Sequence, residues 1–219
     1  MAKTLEYAMS VSHILPGLAL MIGLCLSGCV SLLPDAGEDA AVYDLPGSQS
    51  APAPNTPRHT AVLKVANVVC AQPHASSRIL VRSVKADLVR DEPLAGALWS
   101  EPLPDLIAHR LVESLRQSHL FSGVTQKNDP IDATYLLSTT VNSFELRPTG
   151  TSLEAHVEMT FLLSQHQDRR LLESRTIGAR VPAATLSKDA GITALSQAFS
   201  HVLADLRSWL ASGPLHAKG

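Results

Sequence analysis

The chain has 219 residues, with 18 Lys and Arg against 20 Asp and Glu, for a net charge of −2. That balance argues against a nucleic-acid surface, which needs clustered Lys and Arg against phosphate. Apolar residues make up 45% of the chain but aromatics only 4%, so Leu, Val and Ala must carry the one core that this length supports.

The first element is a charge-free stretch of twenty residues, Ile14 to Leu33. About 20 apolar residues can span a bilayer, but Pro16, Gly17, Gly23, Ser27, Gly28 and Ser31 dilute this one. Its dense part, Ile14 to Leu26, is thirteen residues, the length of a signal-peptide apolar region. It closes on Leu26-Ser27-Gly28-Cys29, which resembles the bacterial lipoprotein signal, the lipobox. On that reading the precursor is cut between Gly28 and Cys29, and Cys29 becomes a lipidated N-terminus. An uncleaved transmembrane anchor and an ordinary cleaved signal are the rival readings. Removal of residues 1–28 takes Lys3 and Glu6 together and leaves the net charge unchanged. Of the three cysteines, Cys25 leaves with the signal and Cys29 is acylated, so Cys70 remains alone and no intrachain disulfide forms. Cys70 follows an apolar run and reads as a small buried hydrophobe.

The expected organisation is a signal peptide over 1–28, a lipidated tether over 29–40, one domain over 41–213 and a disordered tail over 214–219. Ala41 to Leu45 reads as a short strand, which limits the free leash to Val30–Ala40, 11 residues and at most roughly 36 Å. Pro46 to His59 holds four prolines and reads as an extended loop within the domain. Strands are expected over Thr60–Val69, Ile79–Val81 and Ala86–Val89. A helix then starts around Pro102–Asp105, with Leu106, Ile107, Leu111, Val112 and Leu115 on one stripe. It is expected to end near Leu120-Phe121, with Gly123 as the stop.

Three strands follow, over Ala133–Leu146, Leu153–Leu163 and Leu171–Val181. The middle one alternates Leu153, Ala155, Val157, Met159, Phe161 and Leu163 with polar residues, as a half-buried strand does. The turns Arg147–Gly150 and Gln165–Asp168 are short, so these strands read as an antiparallel meander. The last helix places Ile192, Leu195, Phe199, Val202, Leu206 and Trp209 on one face, with Ser187 as N-cap and Gly213-Pro214 as the stop. Its polar face is not rich in Lys and Arg, so it reads as core-packing rather than membrane-lying. The expected fold class is α+β: a two-layer domain with a mainly antiparallel β-sheet and two amphipathic helices packed on one face.

A search for chemistry returns no catalytic set, no metal site and no cofactor site, and the chain reads as a non-enzyme. No histidine pair of the mature chain has HxH or HxxxH spacing, and no GxSxG, P-loop or GxGxxG occurs. His156 sits beside Glu158 on the polar face of its strand, as a solvated cross-strand pair would. The remaining candidate is Trp99-Ser100-Glu101-Pro102-Leu103. Trp99 and Glu101 could form a partner surface, since aromatic anchors concentrate at interfaces. The simpler reading packs Trp99 under the first helical turn and sets Glu101 against the positive end of the helix.

In order, these segments resemble the ABC-type transport auxiliary lipoproteins, the family that includes paraquat-inducible protein C. The resemblance is carried by the lipobox at Cys29, Tyr43-Asp44-Leu45, Ile79-Leu80-Val81-Arg82 and Trp99-Ser100-Glu101-Pro102-Leu103. It continues through Leu115, Leu120-Phe121-Ser122-Gly123-Val124, Tyr135-Leu136-Leu137, Phe144-Glu145 and the closing helix. One departure is the stretch Cys70–Ser77, polar and loop-like where the family usually has a proline and apolar residues. The resemblance implies a non-enzymatic outer-membrane lipoprotein of an MCE-type transport system, held to membrane lipid by acylated Cys29. Its implied partners are an MCE-domain protein and an ABC permease and ATPase, its implied cargo phospholipid or another hydrophobic molecule, and homo-oligomers are compatible with it. Val30 after the cysteine suits sorting to the periplasmic face of the outer membrane, because Asp there commonly signals inner-membrane retention. The alternatives are a pilotin-like assembly lipoprotein and a periplasmic lipid-binding module.

Overall fold

The computed structural model describes residues 40–47 and 59–212. The expected signal peptide, Cys29, most of the tether, most of the proline-rich loop and the C-terminal tail lie outside the described residues. Eight strands are described: β1 (Ala41–Tyr43), β2 (His59–Cys70), β3 (Arg78–Lys85), β4 (Leu88–Trp99), β5 (Phe121–Gln126), β6 (Tyr135–Thr149), β7 (Ser152–Gln165) and β8 (Leu171–Pro182). Two helices accompany them: α1 (Leu103–Ser118), between β4 and β5, and α2 (Lys188–Ser212), after β8.

The strands form one sheet in the order β1-β4-β3-β6-β2-β5, with β7 on β6 and β8 on β7. The β6–β7–β8 meander is antiparallel as expected, and so is the β3–β4 hairpin. The pairs β1–β4, β2–β5, β2–β6 and β3–β6 are parallel. The sheet is therefore mixed, and the expectation of a mainly antiparallel sheet is corrected. The physical reason is connectivity: each parallel pair joins strands that are not successive in the chain, so no hairpin links them and the intervening segments bring the chain back to the same end of the sheet.

The long β6 explains the rest of the topology. Along one edge it carries β2 against its first half, from Tyr135 to Val141, and β3 against Glu145 and Leu146. β2 and β3 are thus two pieces of one edge, interrupted by the loop 71–77. β6 itself shifts register between Val141 and Ser143, opposite that interruption.

Helix α1 begins behind Pro102 with Pro at its first turn and Asp105 near its positive end. It ends at Ser118, not near Phe121. His119 takes the left-handed conformation (φ 53°) that closes it, and Phe121–Gln126 is a strand containing Gly123. At the start of α2 the Ser187 hydroxyl accepts from the Ala190 N–H at 3.2 Å, the expected cap. Both helices pack on the same face of the sheet. Between the layers lie Leu106, Ile107, Leu111, Leu115, Phe144, Phe161, Leu195, Phe199, Leu206 and Trp209, all essentially inaccessible. Each such side chain contributes roughly 1.5–3 kcal/mol relative to exposure.

The turns differ in kind. Gly150 supplies φ 62° in the two-residue turn that joins β6 to β7. The β3–β4 turn instead puts two non-glycine residues, Ala86 (φ 47°) and Asp87 (φ 66°), in the left-handed region. Ala86→Gly should therefore relieve about 1 kcal/mol of backbone strain, offset in part by the added freedom of the unfolded chain.

Candidate functional site

The helices leave the opposite face of the sheet to polar residues, and among the described residues its one carboxylate with no accessible surface is on β6. Phe144, Glu145 and Leu146 are three consecutive buried residues, so an alternating strand turns one of them away from the helices. That residue is Glu145, with no accessible surface. It sits at the break between β2 and β3, and every partner follows from that position. The loop 71–77 supplies His74, itself 4% exposed, whose Nε2 lies 3.0 Å from Glu145 Oε2. The Phe144 N–H, in the gap where β2 has left β6 and β3 has not fully joined, donates to the same oxygen at 2.8 Å.

Glu145 Oε1 is held by cations from two strands. Arg147, two residues along β6, donates from Nη2 at 2.6 Å and from Nε at 3.0 Å. From β3, the Arg82 Nη1 lies 3.5 Å away. Arg82 is in turn forked onto Asp91 of β4, with Nε–Oδ1 2.6 Å and Nη2–Oδ2 2.9 Å, the bidentate geometry that orients a guanidinium best. The hub therefore ties β3, β4, β6 and the loop 71–77 together. It also fastens the loop in which the sequence departs from the family it resembles.

Burial by itself pushes the Glu145 carboxyl up, but the bonds from His74 and Arg147 and the Arg82 and Arg147 charges outweigh it and hold it down at about 2. Asp91 is lowered too, chiefly by the Arg82 fork. A carboxylate so strongly ionised, with both oxygens occupied, is a poor general acid or base. The hub is a clasp.

Beside it the surface opens. Arg147 leads into a groove of about 680 Å³ lined also by Ser143, His156, Glu158, Gly178 and Arg180. His156 is nearly buried and hydrogen-bonds Glu154, its neighbour along β7, rather than Glu158. Burial first, and the Arg147 charge second, lower its pKa. Glu158 instead accepts from Asn142 at 3.2 Å. The groove is polar and two-signed, which suits a charged protein surface better than an acyl chain.

Trp99 and Glu101 are held differently. The Trp99 ring is 2% exposed and meets Phe144 edge-on, with centroids 5.9 Å apart and planes at 80°. The Trp99 backbone N–H donates to Ser77 O at 2.7 Å, so the end of β4 also grips the loop 71–77. Glu101 is partly exposed and pairs with His109 Nδ1 at 3.0 Å on α1. The structure does not bring these two residues to the hub. Cys70 is half-buried, and burial pushes its thiol up to about 11, so it stays protonated at neutral pH. Among the described residues no group of three His, Cys, Asp or Glu side chains is placed to hold a metal.

Sequence reasoning missed the hub. The available signal was a lone acid between two core residues, Phe144-Glu145-Leu146, together with a lone arginine after Ile79-Leu80-Val81. Both segments carry the family resemblance, yet nothing in their spacing says that they meet.

Known structures share this fold. A Xanthomonas campestris protein of the DUF330 family, known from its crystal structure, is 25% identical and superposes with a TM-score of 0.70 over 78% of this chain and 95% of that one. A second crystal structure, of an uncharacterized protein, has the same fold at 18% identity and a TM-score of 0.58, covering 76% of this chain and 95% of that one. No curated protein matches the sequence. The model of the ABC-type transport auxiliary lipoprotein component matches residues 43–206, from the end of β1 into the last turns of α2. The chain belongs to that family, whose members are non-catalytic lipoprotein components of ABC-type transport systems.

Proposed function

We propose that this protein is the outer-membrane lipoprotein of an MCE-type ABC transport system, acylated at Cys29, and that it docks or receives the MCE-domain partner. The observation that carries the docking reading is how the apolar space is used. The volume between sheet and helices is filled by the chain's own Phe144, Met159, Phe161, Phe199 and Trp209, while the large open groove is charged. A packed core holds no spare volume for a lipid chain, so cargo would pass along the partner rather than through this domain. Phospholipid or another hydrophobic molecule remains the proposed cargo of the system.

The groove around Arg147, His156, Glu158 and Arg180 is the proposed docking surface. Of the pair Trp99 and Glu101, only Glu101 presents its side chain to a partner. The anchor reading rests on the lipobox and on Val30 for outer-membrane sorting. Two or more acyl chains hold a protein at a bilayer stably, where one binds marginally.

Cys29→Ala should therefore block acylation and cleavage, so that uncut precursor leaves the outer-membrane fraction and is held in the inner membrane by its apolar segment, while the wild-type protein has the cleaved, acylated mass. If the wild-type protein instead carries its intact precursor mass and Cys29→Ala leaves its distribution between the membranes unchanged, the N-terminal segment is a transmembrane anchor.

A further inference from the structure

The β3–β4 hairpin runs past the sheet. β3 pairs with β6 only at Leu80 and Val81, whereas its pairing with β4 continues from Ser83↔Arg90 through Val84↔Val89 to Lys85↔Leu88. The end of the hairpin is a two-stranded arm closed by the tight Ala86-Asp87 turn. Its side chains are unusual for a solvated tip: Val84 is 65% exposed, Leu88 74% and Val89 62%. Alternation puts the Val84–Val89 pair on one face and Leu88 on the other beside Lys85, so both faces of the tip carry apolar side chains. Lys85 and Arg90 flank it, with Asp87 as the acid of the turn and Glu92 paired to Arg90 at 2.8 Å.

The direction of β1 says what lies near that tip. β1 runs parallel to β4, with Ala41 opposite Ala97 and Tyr43 opposite Trp99. The chain therefore enters β1 from the side on which β4 starts, which is the hairpin side. Measured along β3, from Arg78 opposite Leu98 to Lys85 opposite Leu88, the distance to the tip is about 23 Å, and the leash Val30–Ala40 can span at most roughly 36 Å. The leash is thus long enough for an acyl anchor at Cys29 and the hairpin tip to meet one bilayer.

We infer that the apolar tip formed by Val84, Leu88 and Val89 rests in the headgroup region of the same bilayer that holds Cys29, as a second membrane contact that orients the domain. This inference rests on the anchor reading above. The arm's ladder satisfies the backbone groups between its two strands, and a contact confined to the headgroup region leaves the outward-facing ones in water. Lys85 and Arg90 sit where anionic headgroups would meet them.

The test uses the acylated full chain in vesicles of phosphatidylethanolamine and phosphatidylglycerol with brominated acyl chains, which quench nearby tryptophan. Leu88→Trp is compared with Leu171→Trp. Leu171 is also exposed but pairs with Ser164 at the far end of the sheet, opposite the start of β6. Trp99 and Trp209 are 2% exposed and supply a constant background. Quenching of Leu88→Trp at least two-fold stronger than that of Leu171→Trp is the expected result. Equal weak quenching in vesicle-bound protein would overturn the tip contact and leave the anchor standing. A blue-shifted but unquenched Leu88→Trp would overturn it in favour of a second copy of the chain covering the tip. Protein that is unacylated and floats free of the vesicles would overturn both readings.

Discussion

Glu145→Ala is expected to lower the stability of the domain by about 3–5 kcal/mol at neutral pH, the cost of leaving buried charges without their partner. The loss comes from what stays behind. Arg147 loses both of its bonds to Glu145 Oε1, His74 keeps its buried place without an acceptor, and the Phe144 N–H is orphaned. Equilibrium urea unfolding checks this: the midpoint should fall while the slope, which reports exposed surface, stays the same. Because the loop 71–77 is fastened through His74, hydrogen exchange at Ala75 to Arg78 should speed up more than exchange in β7.

The same hub gives a pH signature. The folded-state pKa of Glu145 is depressed to about 2, below the ordinary carboxylate range. Its contribution is therefore fully present above the unfolded pKa, near 4.3, and is lost as pH falls towards 2. Asp91, lowered by Arg82, acts in the same direction. Glu145→Gln should flatten the acid limb of stability against pH in that window while leaving the neutral and alkaline limbs parallel to wild type.

Phe144→Ala should cost as much, about 3–5 kcal/mol, by a different route. Phe144 is the middle ring of an aromatic chain. Trp99 meets it at 5.9 Å from the end of β4, and Phe199 of α2 meets it at 5.9 Å from the other side. Truncation opens a cavity between helix and sheet and loosens Trp99, which also holds Ser77. Phe144→Leu should recover most of the loss. Because Phe144 and Glu145 are adjacent on β6 and both help to hold the loop 71–77, their effects should be less than additive in the double variant. Thermal or urea unfolding of the four proteins measures that coupling.

The two effects fall on neighbouring residues that were unequally legible. Patterns along a single element were readable: Leu106, Ile107, Leu111 and Leu115 are all buried on α1, and the alternation from Ala155 to Leu163 matches the buried face of β7. Such patterns say which face is inside but not which strand lies alongside. The parallel pairing of β2 and β3 along one edge of β6 depends on residues 60 to 80 positions apart, and no local period encodes it. Strand β5 was hidden because Gly123 looks like a helix stop, whereas His119 performs that role in a conformation seldom taken without glycine. The hub was hidden for the same reason as the topology. Glu145, Arg82, Asp91 and His74 each look like an ordinary surface charge until the broken edge brings them together.

The hub and the aromatic chain fasten the strands and the loop 71–77 behind the polar face, and the proposed function is that this face meets a partner. Affinity purification of the acylated chain from gently solubilised envelopes, with identification by mass spectrometry, tests that claim most directly. The account predicts recovery of an MCE-domain protein with its ABC permease or ATPase, and weakened recovery with the exposed variant Arg180→Glu. Recovery of secretion or cell-wall assembly components alone, with no MCE-domain protein, would contradict it.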